Sequence, residues 1–151
     1  LYITAAYFVP DDDFRRMLRA AVERGVDVRI LAASEHSDVP VTRYAGRGSF
    51  EMLLEGGVRI YEYLPTMIHA KTFVIDGIFS TVGTMNFDNR SMAFNDESNL
   101  VAIDRRLGEE LNAVFLADLA QSKEIILEEF RRRPFIEKVK ERFSRSISRV
   151  L

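Results

Sequence analysis

His69, Lys71 and Asn86 are the residues of this 151-residue chain whose types and spacing could do chemistry on a phosphate. Residues 68–75 read as a strand, and alternate side chains of a strand share a face. His69 and Lys71 would then project together, with Phe73 and Ile75 behind them. A lysine ammonium offers a fixed positive charge to a phosphate oxygen. An imidazole titrates near neutral pH, so it can serve as nucleophile or general acid. Asn86 adds a neutral amide donor, and Gly83 lets the backbone approach closely at a strand end. A histidine and a lysine side by side on an otherwise apolar strand are costly unless something uses them.

Each of these residues alone has a plainer explanation. A lone strand histidine is usually a hydrogen-bonded core or surface residue. A lone lysine is most often a snorkelling edge residue. Asp76-Gly77 by itself is a turn, and Asn86 by itself a loop residue. The joint spacing separates the two readings, because a hairpin turning at Asp76-Gly77 returns residues 84–86 alongside 69 and 71.

That spacing resembles the HKD signature of the phospholipase D superfamily, H-x-K-x4-D-x6-G-[ST]-x-N. It is matched by His69, Lys71, Asp76, Gly83, Thr84 and Asn86. The similarity continues through Phe87-Asp88-Asn89-Arg90-Ser91 and Asn95-Asp96-Glu97-Ser98-Asn99-Leu100, a block that looks like bacterial cardiolipin synthases. It extends to Tyr44-Ala45-Gly46-Arg47-Gly48-Ser49-Phe50 and to the start of the chain, Ile3 to Pro10.

The resemblance implies ping-pong phosphatidyl transfer through a phosphohistidine. Two phosphatidylglycerol molecules would condense to cardiolipin plus glycerol. Two homologous halves each supply one histidine, and this chain, with one motif, would be the C-terminal half of a bilobal enzyme. His69 would be the general acid/base. Lys71, Asn86 and Thr84 would bind phosphate oxygens. Glu97 matches the family acid that hydrogen-bonds the second histidine nitrogen. Asp76 and Gly83 would be structural. No metal and no cofactor is implied. The partners implied are an N-terminal HKD half, or a second copy, and anionic phospholipid. The isolated chain would be inactive. The implied location is the bacterial cell membrane, reached on its cytoplasmic side or peripherally through the parent protein, with this fragment itself soluble.

Around the motif, residues 1–7, 26–32 and 58–64 read as strands, and residues 11–24 and 42–54 as helices. A hairpin over residues 68–75 and 79–82 follows, then a strand over 98–103. The remainder reads as helical, with one helix over 107–121 and a shorter piece up to residue 130. This order predicts an α/β domain whose mixed β-sheet is sandwiched by helices. His36 falls in a polar, acidic loop and reads as solvent-exposed. The start on Leu1 reads as an excised piece of a longer protein, with no apolar run of membrane-spanning length.

Absence of cysteine removes disulfides, thiolate catalysis and cysteine-based zinc sites. Two histidines cannot build an all-histidine zinc site. The net charge of −2 hides a segregation: residues 131–151 hold eight Arg or Lys against two Glu, leaving residues 1–130 acidic. An acidic body argues against a nucleic-acid enzyme, which needs a basic face around its motif. We therefore divide the chain into a catalytic half-domain, 1–130, and a basic amphipathic C-terminal helix, 131–151. In that helix Ile136, Val139, Phe143, Ile147 and Val150 recur at helical spacing. The stripe either packs on the body, or lies at a membrane interface rich in anionic lipid. Two other functions remain open: a single-motif phosphodiesterase or nuclease active only as a homodimer, and an inert half-domain.

Overall fold

The structure, a computed structural model, describes residues 1–147. Strand β1 (Tyr2–Ala5) leads to helix α1 (Asp12–Glu23), then β2 (Arg29–Ala33), α2 (Pro40–Glu55) and β3 (Arg59–Tyr63). Next come β4 (Lys71–Ile75), β5 (Phe79–Gly83), the short helix α3 (Asn89–Ala93) and β6 (Asn99–Ile103). The chain ends through α4 (Arg105–Leu119), β7 (Ser122–Glu124), α5 (Leu127–Arg131) and α6 (Phe135–Ile147).

All seven strands join one mixed sheet in the order β6-β5-β4-β1-β2-β3-β7. β1, β2 and β3 run parallel, as two β-α-β units must, and the other pairings are antiparallel. One face of the sheet packs Ile3, Ala5, Ile30, Ala32 and Ile60 against Leu18, Phe50 and Leu53 of α1 and α2. The other packs Leu31 and Tyr61, with Ile68 from the segment before β4, against Phe115 of α4. Helices on both faces are the expected α/β architecture.

Local signals explain the ends of the elements. Asp11 caps α1 by accepting the Phe14 N–H at 2.7 Å, and Asp12 and Asp13 sit in the first turn where they complement the helix dipole. Pro40 starts α2, where its missing N–H costs nothing. The β4–β5 hairpin turns on Asp76 (φ 54°) and Gly77 (φ 62°), both left-handed, as its Asp-Gly sequence favours.

One sequence expectation is corrected, and one of the two readings left open for the C-terminal helix fails. The strand expected over 68–75 begins only at Lys71, so His69 lies just before β4 and not on it. The apolar stripe of α6 does not face the body. Phe135 (80% exposed), Ile136 (59%), Val139 (44%) and Phe143 (67%) point outward, while Glu141 (2%) and Ser144 (5%) face inward. A buried charge network is the reason. Glu141 accepts from Arg133 Nη2 at 2.8 Å and from Arg47 Nε at 3.3 Å, and Arg47 Nη1 reaches Glu62 at 2.6 Å. A carboxylate engaged by two guanidinium groups can stay buried, and it fixes which side of α6 turns inward. The side chain of Ile147 and all of Val150, also placed on that stripe, lie outside the described residues.

Candidate active site

The register of β1 against β4 builds the site. Ala5 pairs with Lys71, and continuing that antiparallel register brings Tyr7 opposite His69. The two rings meet edge to face, 5.8 Å apart and 82° inclined. Past β1 the chain bends at Ala6 and Tyr7 and is laced to the segment after β5 through a parallel bridge of Phe8 with Phe87. Phe87 N–H donates to Tyr7 O at 3.1 Å, and Val9 N–H donates to Phe87 O at 2.7 Å. This lacing delivers Asn86 beside Tyr7.

Asn86 is buried, and its Oδ1 accepts the Tyr7 N–H at 3.3 Å. With its oxygen engaged by backbone, its Nδ2 remains a donor for a phosphate oxygen. Lys71 is 8% exposed. Its Nζ donates to the His69 carbonyl at 2.8 Å and lies 6.0 Å from the Tyr7 ring centroid. Burial holds the Lys71 pKa below the usual lysine value, while the carboxylates of Glu97, Asp38 and Asp88 pull it back up. His69 itself is exposed, on the rim of this cluster.

The return of β5 into β6 places the remaining motif residues. Thr84 N–H donates to Ser98 O at 3.0 Å, and Ser98 N–H donates to Thr84 Oγ1 at 3.0 Å. The Thr84 hydroxyl donates to Glu97, and Asn95 Nδ2 donates to the other Glu97 oxygen at 3.2 Å. Hydrogen bonds from Thr84, Ser91 and Asn95, with the charge of Lys71, hold the Glu97 carboxyl below the usual glutamate range. Among the described residues the Glu97 carboxylate is thus engaged by Thr84, Asn95 and Ser91, and not by the imidazole of His69. The bond expected from the family resemblance is absent because β6 draws residues 95–98 onto Thr84. Gly83, paired with Asn99, has no room for a side chain: a Cβ there would overlap Asn99 Oδ1 and Ser98 O. Asp76 sits in the hairpin turn, away from this cluster.

Sequence reasoning did not single out two residues at the site. The Tyr7 hydroxyl donates to both oxygens of Asp38 at 2.8 and 2.9 Å, which ties the loop after β2 to the His69–Lys71 cluster. The Tyr7 phenol is pushed up to about 12, by burial first and by Asp38 second. Tyr7 lay within the matched Ile3 to Pro10 stretch but carried no spacing signal of its own. Asp38 belonged to the loop noted only as acidic, and His36 in that loop is exposed as expected. Among the described residues no group of three His, Asp or Glu could hold a metal ion, and no helix is long and apolar enough to cross a membrane.

Residues 1–119 match the family model described as "Cardiolipin synthase, PLD-like domain". The chain belongs to this family. The similarity of this PLD-like domain to curated relatives runs over its whole length. It is 40% identical over all 151 residues to a cardiolipin synthase of Geobacillus sp. (strain WCH70), covering 30% of that protein. It is 36% identical over 142 residues to cardiolipin synthase A of Proteus mirabilis, covering 94% of this chain and 29% of that one. The PLD-like domain thus spans about 30% of the length of these relatives. Its fold matches that of Nuc, a phospholipase D family member from Salmonella typhimurium, with a TM-score of 0.70 at 21% identity, over 82% of this chain and 80% of that one. Phosphatidylserine synthase of Haemophilus influenzae gives a TM-score of 0.71 at 14% identity, over 99% of the domain and 39% of that chain.

Proposed function

We propose that the domain is the C-terminal catalytic half of a two-motif enzyme that transfers a phosphatidyl group between two phosphatidylglycerol molecules. A histidine from the N-terminal half attacks phosphorus: a P–N bond forms as the P–O bond to glycerol breaks. His69 gives its proton to the leaving glycerol oxygen. It then takes a proton from a headgroup hydroxyl of the second phosphatidylglycerol, whose oxygen attacks phosphorus as the P–N bond breaks, giving cardiolipin and freeing the first histidine. Lys71 and the Nδ2 of Asn86 hold the phosphate oxygens. Thr84, the other expected phosphate ligand, gives its hydroxyl proton to Glu97 and would have to turn from it to meet a phosphate oxygen, and Glu97 sets a negative charge near Lys71. Asp76 and Gly83 serve the backbone. The enzyme works at the bacterial cell membrane on anionic phospholipid.

The observation that carries this reading is the convergence on Tyr7. The His69 ring packs on its ring, the buried Lys71 ammonium lies beside it, and Asn86 is bonded to its backbone N–H. A phosphate-sized anion is the ligand that uses a cation, an amide donor and a titratable imidazole together. The test is glycerol release from phosphatidylglycerol vesicles by the full-length protein carrying this chain. His69→Ala and Lys71→Ala should abolish it, and the isolated domain should release none. Undiminished turnover in His69→Ala sinks the assignment. Release by the isolated domain together with a stable dimer in light scattering would establish the single-motif alternative instead.

A further inference from the structure

We infer that α6 is a docking face for an anionic phospholipid bilayer, with Phe135, Ile136, Val139 and Phe143 inserted and its basic side chains reaching the headgroups. The inference takes its lipid surface from the proposed function but its residues from α6 alone.

The arrangement of the helix is unusual for one packed on a globular body. At about 100° per residue, Val139 and Phe143, two residues either side of Glu141, each lie about 160° round the helix from it. Glu141 is the inward anchor, held by Arg133 and Arg47, with the Arg133 guanidinium stacked 3.8 Å from the Phe130 ring centroid. The apolar stripe is therefore held outward by a buried ion network, where simple amphipathic packing would have buried it. Four large apolar side chains left in water on one helix face call for a covering surface.

Charge decides which surface. Arg142 borders the stripe on one side and Lys140 on the other, and both are exposed, as are Arg132 and Lys138. The acids of α6 do not share this face: Glu141 is buried, and Glu137 lies near Lys140 on the half-buried side. An apolar strip with long basic side chains along its edges matches the level of acyl chains just beneath anionic headgroups. A protein partner for such a strip would need its own acidic rim.

The experiment is flotation of the 151-residue chain with vesicles of equimolar phosphatidylglycerol and phosphatidylcholine, and with phosphatidylcholine alone. Four proteins are compared: wild type, Val139→Ser/Phe143→Ser, Lys140→Glu/Arg142→Glu and His69→Ala. The expected result is wild-type binding at least tenfold stronger to the anionic vesicles. Both double variants should lose it while keeping the wild-type circular dichroism and melting temperature, since all four side chains are exposed. His69→Ala should bind like wild type, which separates failure of this inference from failure of the catalytic reading. Undiminished binding by either double variant overturns the inference. So does a wild type that ignores anionic vesicles, or one whose stripe is occupied by a second copy, seen as a dimer that Val139→Ser/Phe143→Ser makes monomeric.

Discussion

The ring of His69 stands edge to face against the ring of Tyr7, centroids 5.8 Å apart, in a register set by the pairing of Ala5 with Lys71 two residues away. Tyr7 touches the imidazole by its ring, Asn86 by its backbone N–H and Asp38 by its hydroxyl. A reacting group held by packing loses rate when the packing goes, because small misplacements cost about 10–100-fold. In the full-length protein Tyr7→Ala should lower kcat by roughly that factor with little change in KM. Tyr7→Phe keeps the ring and the backbone bond and should keep most activity. Steady-state kinetics on phosphatidylglycerol vesicles checks both.

The same tyrosine makes an alkaline prediction. Its phenol titrates at about 12 in the folded chain against an ordinary 10.0. A raised folded pKa means a stabilising contribution that is complete below pH 10 and lost as pH climbs through about 12. Asp38→Asn removes one cause of the shift. Ultraviolet titration of the phenols should then show one tyrosine ionising earlier than in the wild type.

Lys71 pulls stability and function apart. Its ammonium is buried and its pKa depressed, chiefly by desolvation. The charged lysine therefore costs the folded state something at neutral pH, and that cost is relieved as pH rises through the lowered value toward 10.5. Lys71→Met should abolish transfer yet leave stability at neutral pH unchanged or raised by about 1 kcal/mol. The stability difference between variant and wild type should narrow in alkali. Urea unfolding at two pH values measures it.

Glu141→Ala should be far more damaging. It leaves the guanidinium groups of Arg133 and Arg47, each mostly buried, without their shared carboxylate. Breaking a buried ion pair from one side costs about 3–5 kcal/mol. The melting temperature should drop and protease cleavage should begin near α6, whereas Glu137→Ala at a partly exposed position should be mild.

Gly83→Ala tests the β5–β6 return. The added methyl would meet Asn99 Oδ1 and the carbonyl oxygen of Ser98, so backbone has to move. Overpacking of this kind costs about 1–3 kcal/mol. Here it also shifts Thr84 and Glu97, so activity should fall further than stability alone would explain.

Much of this arrangement could be read from the chain. The Asp76-Gly77 turn, Gly56 and Gly57 directly after α2 and the Asp11 cap are local chemistry, and each sits where its residue type predicts. β4 was legible from its alternation, β5 from its place after the Asp76-Gly77 turn, and β6 from its apolar run. β7 was not, because Ser122–Glu124 is a polar three-residue edge strand defined only by its pairing with β3. The short helix α3 was hidden for a similar reason, being set by the Asp88 cap on the Ser91 N–H. His69 was placed on a strand because residues 68–75 alternate, but β1 ends at Ala5 and leaves positions 69 and 70 without a ladder partner. The direction of the α6 stripe depended on Arg47 and Glu62, far away in the chain, and no local pattern carries that information.

The central position of β1 bears on how the molecule comes into being. Within this domain β1 can pair with β2 early, yet its other edge waits for β4, and the lacing of residues 7–9 waits longer still for Phe87. Until that late segment arrives, nothing holds Asn86 against the Tyr7 N–H. Assembly of the reactive corner is thus a closing event with large loops to be brought together, slower than the local α1 and α2 steps before it. A ribosome-bound chain arrested before Asn86 should carry a native-like β1-β2-β3 layer but lack the amide that completes the phosphate site.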